Sequence, residues 1–187
     1  MSFQKILVAI DDSPLAQFAF TAALELAESI KATIMLLHCL PPELVGEPTV
    51  SPIQFETGLQ PSLMINDYQT QQILMERRIE ETQALLKRYY DEAMSHGVPT
   101  YSDHKIGEAG SLLCEVAQDW GADLIVVGRR GRTGLVEALL GSVSNHVVHN
   151  APCSVLVIQQ VEPEPPTEAV IDPLSAVINP PSSQGLT

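Results

Sequence analysis

Apolar and polar positions along the chain follow two patterns that take turns. Lys5-Ile6-Leu7-Val8-Ala9-Ile10, Ala32–Leu40, Leu124–Val127 and Val155–Ile158 are short and almost continuously apolar. Runs of that length and composition are expected for strands covered on both faces. Between them the apolar residues recur with a helical period. Ser13-Pro14 has the form of a helix start, with Ser13 as N-cap and Pro14 at the first helical position. Leu15, Phe18, Ala19, Ala22, Ala23 and Leu26 then predict one buried stripe. A second helix is predicted from about Asn66 to His96, with Met75, Ile79, Leu86, Tyr90 and Ala93 inward. Glu76, Glu80 and Glu81 would face Arg77, Arg78, Lys87 and Arg88 around its exposed side. Such a helix would run about 46 Å, longer than a sheet needs, so its N-terminal part is expected to overhang or to start later. Gly97 sits where a C′ residue ends a helix. Val98, Thr100, Ser102, His104 and Ile106 alternate with their neighbours as in a half-exposed edge strand. Ser111–Trp120 and Val143–His149 complete the helices.

Strand and helix therefore alternate five times, which predicts an α/β domain with a parallel sheet and helices on both faces. One domain over residues 1–160 suits the length and the 45% apolar content. Residues 41–65 carry five prolines and no lysine or arginine, and are expected to form a long irregular excursion, a flexible flap over one rim of the sheet. Residues 161–187 hold six prolines, four acids and no base, the composition of a disordered tail.

Charge narrows the functional classes. The chain has 10 Lys+Arg against 23 Asp+Glu, a formal net charge of −13. Nucleic acid is a poor partner for so acidic a surface. No apolar run approaches the roughly 18 residues of a membrane span, and Met1–Lys5 lead into the first strand without a signal-peptide pattern. Cys39, Cys114 and Cys153 are odd in number and widely spaced, which predicts buried free thiols in a reducing compartment, the cytoplasm.

Against that background Arg129, Arg130 and Arg132 lie together, directly after the Leu124–Val127 strand and among Gly128, Gly131, Gly134 and Gly141-Ser142. A strand, a glycine-rich loop and a helix N-terminus can hold an anion, because free N–H groups and the helix dipole converge there. A tight strand-to-helix turn with solvated arginines is the alternative reading. The loop is no P-loop, since it lacks lysine, and the first strand-to-helix turn, Ile10-Asp11-Asp12-Ser13-Pro14, has no glycine for a dinucleotide fingerprint.

The spacing Gly128-x2-Gly131-x9-Gly141-Ser142 resembles the ATP-binding motif of the universal stress protein family, and KILVAIDDSP resembles that family's opening. The resemblance covers about residues 3–160. It implies a single-domain, doubly wound, Rossmann-like sheet of five parallel strands in the order 3-2-1-4-5. It also implies a site for ATP (or AMP or ADP), with Mg2+, beside the point where the strand order reverses. One side would be Ala9, Ile10, Asp11 and Ser13, with Cys39 offering its backbone at the adenosine end. The other would be Val127, Gly128, Arg129, Gly131, Arg132, Gly141, Ser142, Val143 and Ser144, holding ribose and phosphates. Asp11 would accept hydrogen bonds from ribose or help hold a cation; as a residue alone it reads equally as a charge or cap on the first helix. Ser142 is also a candidate N-cap. Asp12 stands where relatives often have glycine, and Arg129 where they often have serine or threonine, so Arg129 would either clasp phosphate or crowd it.

Other chemistry is poorly supplied. His146, His149 and Cys153 have a spacing compatible with zinc but no fourth ligand, and no metal site is expected. Ser13 lacks a nucleophile elbow, and no second carboxylate is placed for acid–base work. The expectation is an ATP-binding regulatory module of the stress response rather than an enzyme, with slow ATP hydrolysis left open. A partner-binding protein of the same fold with an empty site is the alternative, and an adenylyl-transferring enzyme a weaker one. Val155, Leu156, Val157 and Ile158 would form an apolar edge, which predicts a homodimer paired through the last strand, as the resemblance also implies.

Overall fold

The computed structural model describes residues 3–41, 61–129 and 140–159, and of residues 61–71 the backbone only. In chain order the elements are β1 (Lys5–Ala9), α1 (Pro14–Ile30), β2 (Thr33–Leu40), α2 (Pro61–Ser95), β3 (Thr100–Ile106), α3 (Ala109–Trp120), β4 (Leu124–Gly128), α4 (Ser142–Asn150) and β5 (Ser154–Ile158). The five strands form one sheet in the order β3-β2-β1-β4-β5. All pairs are parallel, with Leu7 opposite both Met35 and Ile125, and Val126 opposite Leu156.

Alternation along the central strands sends side chains into two cores. Ile6, Val8, Ile34, Leu36, Leu124 and Val126 face α1 and α2. Leu7, Leu37, Ile125 and Val127 face α3 and α4. This is why the strands read as unbroken apolar runs: both faces are covered. The amino ends of β1 and β4 are tied by Asp123, whose Oδ2 accepts from the Gln4 and Lys5 amides at 2.9 and 3.0 Å.

Several boundaries and faces differ from expectation. The α2 helix starts at Pro61, earlier than Asn66, so residues 61–65 are helical and not part of an irregular excursion. Its first proline is a natural opening residue, since an N1 position needs no N–H. The rest of the expected flap, 42–60, and the expected tail, 161–187, lie outside the described residues. In α1 the buried stripe is Ala16, Ala19, Phe20, Ala23, Leu24 and Ala27, while Phe18 is 43% exposed. In α2 Tyr89 is buried and Tyr90 only half-buried. The two corrections have one cause: Phe20 and Tyr89 pack ring to ring at 4.7 Å between the helices, which sets the rotation of both. On the exposed side Arg77 and Arg78 both pair with Glu81, and Lys87 with Asp91. Gly97 (φ +74°) does follow α2, and Gly121 (φ +71°) ends α3 in the same left-handed conformation. The edge strand β3 is buried at Thr100 but not in clean alternation beyond it, since Ser102 and Ile106 are exposed.

Candidate functional site

The carboxyl ends of β1 and β4 lie side by side, and the chain leaves them in opposite directions, towards β2 and towards β5. Loops after neighbouring strands that diverge in this way leave a crevice between them. Here it is a cleft of about 570 Å³ lined from both sides: Ala9, Ile10, Asp11, Asp12 and Ser13 after β1, Val127 and Gly128 at the end of β4, and Gly141, Ser142, Val143 and Ser144 at the start of α4. Its volume is within the range of small-molecule sites.

Asp11 is fixed by a local turn. Its Oδ1 accepts from the Ser13 amide at 3.0 Å and from the Ser13 hydroxyl. Ser13 occupies the N-cap position of α1, but its side chain makes no capping bond, because the hydroxyl is spent on Asp11. The turn thus presents one carboxylate edge at the rim of β1.

On the other side, Gly141 is the N-cap of α4 and Ser142 the first helical residue, so Ser142 is not the cap. Gly141 has φ −63° and ψ 160°, an extended backbone open to any residue. The advantage of glycine there is the missing side chain, not a left-handed turn. The Gly141 amide donates to Arg129 O at 2.7 Å, and the first helical bond, Asn145 N to Gly141 O, spans 2.8 Å. The amides of Ser142, Val143 and Ser144 therefore remain without a backbone acceptor among the described residues, as at any helix start.

The Ser144 hydroxyl has partners within the protein. Ser144 is buried, and its hydroxyl lies 2.8 Å from Arg129 O and 3.1 Å from Gly141 O. The side chain clamps the two ends of the 130–140 segment together, and only its backbone is left to meet a ligand. Arg129 is further held by its amide on Ile158 O at 2.7 Å. Gly131 and Arg132, with Arg130, fall outside the described residues.

Cys39 also lines the cleft, but its side chain belongs to the α3/α4 core. Burial pushes its thiol up to about 12, only partly countered by the Lys105 charge. Cys39, Cys114 and Cys153 are all free, and half-buried rather than fully buried. His146, His149 and Cys153 do not assemble, and no group of three metal-ligating side chains occurs among the described residues.

The cleft has a third wall that sequence patterns did not disclose. Arg78, Glu81, Thr82 and Leu85 line it from one face of α2, spaced i, i+3, i+4, i+7. His38, from β2, completes that wall. Its even-numbered position places it on the α1/α2 face with Ile34 and Leu36. It is 8% exposed, and its Nδ1 has no hydrogen-bond partner among the described residues. Burial lowers its pKa, opposed by the Asp11 charge and a hydrogen bond with the Ile10 backbone; His104 and Arg78 lower it further. The one available sequence signal was a histidine inside an otherwise apolar strand.

Comparison with known proteins agrees with this architecture. The universal stress protein family matches residues 2–159. The chain is 33% identical over 159 residues to universal stress protein Sll1388 of Synechocystis, covering 85% of this chain and 99% of that one. It is 32% identical over 157 residues to universal stress protein YxiE of Bacillus subtilis, covering 84% and 99%. Among solved structures, universal stress protein UspA from Lactobacillus plantarum superposes with a TM-score of 0.67 at 22% identity, over 85% of this chain and 99% of that one. A family member from Arabidopsis thaliana with AMP bound gives 0.54 at 21% identity, over 88% and 97%. One from Archaeoglobus fulgidus in complex with dAMP gives 0.56 at 20%, over 85% and 100%. This chain belongs to the universal stress protein family.

Proposed function

We propose that the protein binds an adenine nucleotide, ATP by preference, in the cleft between β1 and β4, and acts as a nucleotide-responsive regulator in the stress response rather than as an enzyme. The observation that carries this reading is the pairing of the Asp11 turn with the α4 N-terminus across one cleft. Three amides and a helix dipole suit phosphates, whereas a carboxylate suits hydroxyls and repels phosphates. The ligand is thereby oriented, with phosphates at Gly141–Ser144 and the nucleoside towards Asp11 and β2. Relatives crystallised with AMP and dAMP support the same ligand class.

A Mg2+ ion fits this site as a companion of the triphosphate. No cluster of three ligating side chains is present among the described residues, and Asp11 Oδ1 is already engaged by Ser13. With Asp11 at the nucleoside end, the phosphates and water would supply the ion's ligands. Among the described residues no general base lies at the phosphate end, which favours binding over efficient hydrolysis. We further propose a cytoplasmic homodimer. The edge of β5 offers unpaired ladder groups, with Leu156 37% exposed, and a second copy would pair them. Among the described residues no helix is long and apolar enough to cross a membrane.

Titration calorimetry of the full chain with ATP, AMP and inorganic triphosphate, Mg2+ present, tests the reading. ATP should bind, and Asp11→Ala should erode the preference for ATP over triphosphate. Absence of adenine-nucleotide binding at millimolar ligand would leave the empty-site, partner-binding alternative in its place.

A further inference from the structure

Five polar side chains are buried among the described residues: Ser13, His38, Thr82, Thr100 and Ser144. In three the side-chain oxygen is bonded within the protein. Ser13 is bonded to Asp11, Thr100 donates to Val98 O at 2.9 Å, and Ser144 donates to the Arg129 and Gly141 carbonyls. The remaining two both line the cleft. The Nδ1 of His38 is unpartnered, and the Thr82 hydroxyl, on a residue 4% exposed, has no partner among the described residues. Buried polar groups are almost always paired, and leaving one unpaired is costly. Of the two, His38 Nδ1 is the buried atom left unpaired, and on the wall of a cleft it calls for a ligand that supplies its partner.

Their position says which part of the ligand. Phosphates belong at the α4 N-terminus, so the wall formed by β2 and α2 meets the opposite end, the base. Leu85 and Ala16 beside it supply apolar surface for a flat ring. The polarity of His38 then follows from its surroundings. The Ile10 amide is already committed to Leu37 O at 2.9 Å, so the Ile10 backbone group that holds the imidazole is the carbonyl. A neutral imidazole has one N–H and one lone pair. With the N–H on Ile10, Nδ1 is left as an acceptor. Of the charged and titratable groups around it, Asp11 favours the imidazolium, while burial, Arg78 and His104 favour the neutral ring.

We propose that His38 and Thr82 read the edge of the base, and that the His38 acceptor makes the site favour a 6-amino purine over a 6-oxo purine, an inference that rests on the adenine-nucleotide reading above. The amino group donates to Nδ1. A 6-oxo group would set acceptor against acceptor and leave both unpaired. The Thr82 hydroxyl donates or accepts, so it serves either base without choosing between them. A small side-chain movement, of the kind that commonly accompanies binding, brings Nδ1 to the ligand.

The test compares ATP with inosine triphosphate, which differs only at the base, by calorimetric titration of the full chain. Wild type should favour ATP by about tenfold or more. His38→Phe, which keeps a ring and removes the acceptor, should reduce that ratio to about threefold or less, mainly by weakening ATP. Thr82→Val should weaken both nucleotides by about fivefold and leave the ratio standing. Equal wild-type affinity for the two nucleotides, or an unchanged ratio in His38→Phe, overturns the proposal while the nucleotide reading survives. Binding of neither nucleotide at millimolar concentration overturns the nucleotide reading, and this inference with it. Should His38→Phe fail to fold, 15N-imidazole spectra of the wild type decide. The His38 Nδ1 resonance should shift with ATP and not with inosine triphosphate, and an ATP response that leaves it unmoved refutes the assignment.

Discussion

Ser144→Ala separates a clamp from a ligand contact. The Ser144 side chain is 1% exposed, and its single hydroxyl proton serves Arg129 O at 2.8 Å or Gly141 O at 3.1 Å. Removing the oxygen orphans neither carbonyl. Arg129 O keeps the Gly141 amide at 2.7 Å, and Gly141 O keeps the Asn145 amide at 2.8 Å. The loss is therefore that of an ordinary net hydrogen bond, about 1 kcal/mol, without the larger penalty of an unsatisfied buried group. For a domain of this size that lowers the melting temperature by roughly 2–4 °C. Because the lost bond pins the base of the 130–140 segment, ATP affinity should also fall, by about three- to tenfold, or roughly 0.7–1.4 kcal/mol. Thermal melts by circular dichroism and calorimetric titration with ATP measure the two effects on one preparation. No change in either would refute the clamp. A loss of binding beyond about a hundredfold with an unchanged melting temperature would show instead that the hydroxyl touches the nucleotide directly.

Three further outcomes follow from the same geometry. Gly141→Val is compatible with the local backbone (φ −63°), so the variant should fold, yet its branched side chain lies at the cleft and should weaken ATP about tenfold or more by titration. Ile158 O accepts from Arg129 N, so residues 154, 156 and 158 turn their backbone groups towards β4 and Val155 and Val157 turn theirs outward. Val157→Pro should therefore keep the wild-type circular dichroism while sedimenting as a monomer at micromolar concentration; a monomeric wild type would sink the dimer proposal. His38 has a folded-state pKa below its unfolded one, so on acidification the unfolded chain takes up that proton first, and stability contributed at neutral pH is lost as pH falls through about 6.5. The urea midpoint should accordingly drop less between pH 7.5 and 5.5 in His38→Phe than in wild type.

How far the fold was legible varies from element to element. The central strands could be read because both faces are covered, which makes Ile6–Val8 and Leu124–Val127 continuously apolar whatever else the chain does. The end of α2 at Gly97 could be read for a different reason: a left-handed residue is a local demand. The start of α2 was misplaced because Pro61 belongs equally to a proline-rich loop and to a first helical turn. The stripe on α1 was out of phase because every position from Leu15 to Leu26 other than Gln17, Thr21 and Glu25 is apolar or small, so both flanks of that polar line look alike. Contact with Tyr89, over sixty positions away, brought Phe20 inward and left Phe18 at the surface.

The candidate site divides along the same line. Asp11, Gly128, Gly141 and Ser142 announce themselves because a phosphate loop and a strand-end carboxylate depend on neighbours in the chain, and spacing records that dependence. His38, Arg78, Thr82 and Leu85 carry no such mark. They line the cleft because α2 packs over β2 and β3, and a helix face becomes a wall only when something is placed opposite it. Ser144 shows both halves at once: its place beside the loop was evident from the sequence, but that its hydroxyl is bonded to Arg129 O was not. Local spacing thus determined where a ligand could be held. Tertiary packing decided which groups surround it, because burial and the loss of hydrogen-bond partners exist only once distant segments meet.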